Sequence, residues 1–164
     1  MKQMILPLLV LAVFVVVIKI LPLLLIRRTG EKKVHSYERK PSLMSPAERL
    51  FFASLEQAIG GHFRLFSKVR LADIVRVESG GDRSSWQSAF NAIQSKHVDF
   101  LAVDPASTEI KFAVELDDRS HQKQNRQDRD AFVDQVLTGA GIPIFRFAAK
   151  RGYSVDEIRG KLFE

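Results

Sequence analysis

Residues 97–121 read HVDFLAVDPASTEIKFAVELDDRSH, two runs of alternating apolar residues on either side of a turn at Asp104-Pro105-Ala106-Ser107. A period of two on both sides of turn chemistry predicts an antiparallel β-hairpin. Even-numbered positions are apolar on both arms: Val98, Phe100 and Ala102 on the first, Phe112, Val114 and Leu116 on the second. A register in which paired residue numbers sum to an even value puts these six on the core side, and it leaves Asp99, Glu115 and Asp117 together on the other. Asp99 and Glu115 then become cross-strand neighbours. Like charges that close raise each other's pKa and call for a compensating cation, for which a divalent metal is the obvious candidate.

The chain has 164 residues and no cysteine. That leaves room for one small domain of about 120 residues behind a compositionally different first quarter, and it excludes disulfides and thiolate zinc sites. The net charge of +6 would suggest nucleic-acid binding if it were spread evenly. Residues 1–42 carry eight Lys and Arg against two Glu, whereas residues 43–164 carry 17 Lys and Arg against 17 Asp and Glu. The domain itself is formally neutral, so bulk charge gives no support for DNA binding.

Met4 to Ile26 is a near-continuous apolar run, matching the roughly 20 residues that a helix needs to cross a hydrocarbon core of about 30 Å. Lys19 lies close enough to one end to snorkel, Pro7 and Pro22 sit near the two ends, and no small-x-small cleavage site follows. Only Lys2 precedes the run, while Arg27, Arg28, Lys32, Lys33, Arg39 and Lys40 follow it. Positive charge beside a span stays cytoplasmic. The expectation is a transmembrane anchor over residues 1–26 with the lipid bilayer as partner, a basic flexible linker over 27–44, and a domain over 45–164. Such a protein is a single-pass resident of the cell inner membrane with its domain in the cytoplasm.

Ser45-Pro46-Ala47-Glu48 opens a helix with a capping box, and Gly60-Gly61 ends it after an apolar stripe through Leu50, Phe51, Leu55 and Ile59. His62 to Val69 reads as a strand with Phe63, Leu65 and Val69 inward, and a short helix from Ser84 or Ser85 is expected in the loosely patterned segment that follows. Beyond the hairpin come a helix over Gln122 to Ala140, a strand over Ile142 to Phe147, and a closing helix from Ser154 with Glu157 completing a second capping box. The order α-β-β-β-α-β-α is that of an α/β domain with a mixed sheet.

This order, with Asp99, Glu115-Leu116-Asp117, His121 and Arg146, resembles the PD-(D/E)XK restriction-endonuclease-like superfamily. Within it, the blocks SPAERLFFASLE, FNAIQSKHVDFLAVD, VELDDRSH, RDAFVDQVL and GIPIFRF resemble the family numbered 2726 among domains of unknown function, a relative of the very-short-patch-repair endonucleases. The resemblance covers Leu43 to about Tyr153. It implies a nuclease site in which Asp99, Glu115 and the Leu116 carbonyl hold Mg²⁺ or Mn²⁺. Hard oxygen donors suit such an ion, which activates water and stabilises charge on the reacting phosphate.

The chain departs from the superfamily pattern at Asp117, which stands where a lysine is expected. Lys96, Lys123 and His121 are the candidate replacements, His121 as the general acid/base that the repair-endonuclease relatives suggest. Glu48 either completes the metal shell or serves only its capping box, and the two roles are compatible. Arg146 alternates with Phe145 and Phe147, so it is placed to bind phosphate or to pair with Asp117. The function implied is hydrolysis of phosphodiester bonds, in DNA rather than RNA. The alternative is a catalytically inactive nuclease-fold module that binds nucleic acid or a protein partner at the membrane.

Overall fold

A computed structural model of the chain describes residues 13–21, 35–78, 80–117 and 124–163. The chain divides into two units, residues 1–39 and residues 40–164. In the first, residues 13–21 form a helix, α1. No helix among the described residues is long and apolar enough to cross a membrane. This overturns the expected N-terminal transmembrane helix, and with it the placement as a single-pass inner-membrane protein. The described part of α1, residues 13–21, rises about 14 Å, where a hydrocarbon core measures about 30 Å. The rest of the apolar run and residues 27–34 of the basic stretch lie outside the described residues.

The first helix of the second unit begins where the capping box places it. Helix α2 (Pro46–Ile59) has Ser45 as N-cap, Pro46 in its first turn and Gly60 at its end with a left-handed φ of 56°, a conformation that glycine adopts without steric cost. Strand β1 (Arg64–Arg70) runs directly into the short helix α3 (Leu71–Ile74). Helix α4 (Arg83–Gln94) starts slightly earlier than expected, because Asp82 caps it by accepting a 2.7 Å hydrogen bond from the Ser85 amide. Strands β2 (His97–Val103) and β3 (Ile110–Asp117) form the hairpin. Helix α5 (Gln124–Gly139), strand β4 (Ile144–Ala148) and helix α6 (Val155–Phe163) complete the chain. The expected order of elements is recovered, with the expected short helix α4 and one further helix, α3, between β1 and β2.

The four strands lie in the order β1-β2-β3-β4. The first two pairings are antiparallel and the third is parallel, so the sheet is mixed. Phe100 pairs with Val114 and Ala102 with Phe112, the even-sum register, until a bulge between Ala102 and Val103 shifts it. Asp104 holds the turn by accepting hydrogen bonds from the Ala106 and Ser107 amides at 2.9 and 2.8 Å.

Both faces of the sheet are covered, which corrects the picture of one core face and one charged face. On one side Phe100, Ala102, Phe112, Val114 and Phe147 pack with Phe51 and Leu55 of α2 and Ile158 and Leu162 of α6. On the other, Leu101, Val103 and Ala113 pack with Leu71, Ile93, Val133 and Leu137 from α3, α4 and α5. A strand sandwiched this way is apolar at successive positions, as Phe100-Leu101-Ala102-Val103 is. Asp99 and Glu115 are consequently buried polar groups, each only 8 % exposed. Val98 also changes sides. It pairs with Val69, and both belong to the second cluster, whereas Leu65 and its partner Ala102 belong to the first. Lys68 lies between the two regimes with φ of 57°, so the local backbone turns over at this residue.

Candidate functional site

Asp99 and Glu115 stand one step beyond the Phe100–Val114 pair on the two hairpin strands. Asp99 uses both oxygens: Oδ2 accepts the Leu116 amide at 3.0 Å, and Oδ1 accepts the Lys68 ammonium at 2.7 Å. The same ammonium donates to Glu48 Oε1 at 2.6 Å. Glu48 Oε2 accepts the Ser45 amide at 2.7 Å while its own amide donates to Ser45 Oγ. One carboxylate thus caps α2 and pairs with β1 at once, so the capping role is filled without excluding a second one. Lys68 was not foreseen. Simple alternation did not mark it, since Val69 packs on the opposite side of the sheet from Phe63 and Leu65, and it is the pairing of β1 with β2 that brings Lys68 to Asp99.

Electrostatics separates the two buried acids, which also hydrogen-bond to each other. Burial pushes Asp99 up, but the Lys68 hydrogen bond and charge, with the Leu116 amide, outweigh it and hold its pKa below the ordinary value. Glu115 goes the other way, to about 8, through burial first and the Asp99 charge second; Arg146 and Arg129 offset only part of this. For Lys68, burial lowers the pKa, yet hydrogen bonds to Asp99 and Glu48 and their charges leave it raised. His97, half-buried at the start of β2, is pushed below its usual value by burial and by the Lys68 and Arg129 charges. At neutral pH the cluster therefore holds an ionised Asp99, a protonated Glu115 and a charged Lys68.

Arg146 pairs with Glu115 across the β3–β4 register, and its guanidinium is taken up by other acids. It donates to Asp117 Oδ1 at 2.7 Å and to Asp134 Oδ1 at 2.9 Å, tying β3, β4 and α5 together. Asp117, in the place of the motif lysine, is thus an ion-pair partner at the strand end. Lys96 points elsewhere, donating to the Ala92 carbonyl at 2.6 Å with its ammonium 4.7 Å from the Phe132 ring centre. His121 and Lys123 lie outside the described residues.

The oxygen donors of Asp99, Glu115 and Leu116 are of the type that Mg²⁺ or Mn²⁺ takes, and a buried carboxyl pair of which one member must keep its proton is short of positive charge. The donor set fits a hard divalent ion. Among the described residues no three His, Cys, Asp or Glu side chains are grouped to hold one, and Lys68 bridges Glu48 and Asp99.

Residues 40–164 match the family described as "Protein of unknown function (DUF2726)". No curated protein and no solved structure matches the chain.

Proposed function

The chain belongs to the DUF2726 family, and from that premise we propose that its second unit is a PD-(D/E)XK-like nuclease, akin to the very-short-patch-repair endonucleases, that hydrolyses DNA phosphodiester bonds. The observation that carries this reading is the buried, hydrogen-bonded Asp99–Glu115 carboxyl pair with a lysine ammonium on Asp99. Asp99, Glu115 and the Leu116 carbonyl are the proposed holders of Mg²⁺ or Mn²⁺, with Glu48 one ammonium away. Once bound, the ion supplies an activated water and stabilises charge on the phosphate. The Leu116 amide orients Asp99, and Lys68 keeps it ionised and ready to ligate. Arg146 fixes β4 and α5 beside Glu115 through Asp117 and Asp134. His121 and Lys123 remain the proposed proton-transfer groups, and Asp117, engaged by Arg146, is a support rather than a base.

Plasmid nicking in Mg²⁺ or Mn²⁺ tests the proposal. Cleavage by the wild type should fall about a hundredfold or more in Asp99→Asn and in Glu115→Gln, the scale expected when a metal ligand or its charge is removed. Equal nicking by wild type and both variants would assign the activity to a contaminant and remove the reading.

A second reading is favoured by one observation: Lys68 already neutralises Glu48 and Asp99, so the acids have an internal partner without any metal. On that reading the unit is an inactive nuclease-fold module that binds nucleic acid or a protein. DNA binding that is indifferent to divalent ions, with no cleavage, would support it.

A further inference from the structure

We infer that Lys68 is a displaceable cation: it neutralises Asp99 and Glu48 when no divalent ion is bound, and it is released to a nucleic-acid phosphate when one binds. The inference rests on the metal-site reading and assigns a role to a residue outside the Asp and Glu-x-Asp motif. One ammonium spans two carboxylates at 2.6 and 2.7 Å, and one of them, Asp99, is a proposed holder of the ion. A divalent ion on Asp99 and an ammonium on the same carboxylate repel strongly at such separations, all the more in a site shielded from water. Both cannot keep their full hold on Asp99.

The lysine has somewhere to go. Its side chain is 20 % exposed, and its flexible four-carbon stem allows the head to swing without moving the strand. Two other cations near the pair are committed: Arg146 to Asp117 and Asp134, and Lys96 to the Ala92 carbonyl and the Phe132 ring. A freed Lys68 would stand beside the ion and supply the positive charge that Asp117 cannot, at the place where a phosphate ligand of the ion would lie. The same residue then tunes two affinities in opposite directions, weakening metal binding and strengthening phosphate binding.

The test uses the full chain, with Mn²⁺ binding followed by calorimetry and binding of a short DNA duplex in Ca²⁺ followed by fluorescence anisotropy. Lys68→Met is expected to bind Mn²⁺ roughly tenfold more tightly and the duplex roughly tenfold more weakly than wild type, while Lys68→Arg stays close to wild type in both. A lysine that merely supports the fold would weaken both together. Wild-type binding of Mn²⁺ with no gain in Lys68→Met overturns the role of Lys68 and leaves the metal site standing; no Mn²⁺ binding by either protein overturns both. A second measurement needs no variant and so does not depend on one folding. Acetylation of Lys68 in the wild type, read by peptide mass, should increase when Mn²⁺ is added, and unchanged labelling contradicts displacement.

Discussion

Glu115 is the residue whose chemistry is most altered by the fold. Its carboxyl titrates near 8 instead of 4.5, because it is buried and faces the Asp99 charge, with Lys68 beyond Asp99 and Arg146 and Arg129 only partly compensating. Between those two values the folded state holds a proton that the unfolded chain has released. The stabilisation is therefore complete below the unfolded pKa and is lost as pH rises through the folded one. Asp99 has the opposite sign: its contribution is present above the ordinary carboxylate pKa and is lost as pH falls through its depressed value. In chelator, the melting temperature of the wild type should fall between about pH 6 and pH 9, and Glu115→Gln should flatten that slope; thermal melts across the range check it. Lys68→Ala leaves Asp99 and Glu48 without their shared cation and should cost about 1–3 kcal/mol in chelator, read from urea unfolding.

Among elements, α2 and β1 make the site more than a hairpin with two acids. The capping box sets where α2 begins, and its Glu48 is the same carboxylate that Lys68 binds. Ser45→Ala should therefore cost about 1 kcal/mol in unfolding experiments, the usual worth of an N-cap, while the Ser45 amide still holds Glu48 Oε2 beside Lys68. The hairpin, the capping box of α2, the bounding glycines and the meeting of Asp99 with Glu115 were legible in the sequence, because each follows from local periodicity or from residues three apart. Lys68 was not, since its position depends on which strand β1 pairs with and on a left-handed residue within that strand. Neither is a local signal. Lys96 shows the converse: closeness in sequence to Asp99 suggested a role, but the end of α4 draws its ammonium to Ala92.

At the scale of the molecule, the sheet is covered on both faces, and this turns an acid pair expected on a solvated face into a buried one. Burial accounts for the raised Glu115 pKa and makes the pair a receptive place for a cation. The hydropathy of the first quarter suggested a membrane anchor, but no helix among the described residues is long and apolar enough to cross a membrane. With 17 basic and 17 acidic residues in residues 43–164, any DNA affinity has to arise locally from the ion and a few cations. Duplex binding should therefore depend on a divalent ion and show a salt slope of about −3 or shallower, measured by anisotropy across a salt series. The central claim is that Asp99 and Glu115 form a metal site, and calorimetric titration of the full chain with Mn²⁺, beside the Asp99→Ala/Glu115→Ala double variant, tests it most directly. The account predicts saturable binding by the wild type that is lost in the variant; a wild type that binds no Mn²⁺, even with a DNA duplex present to supply phosphate oxygens, would contradict it.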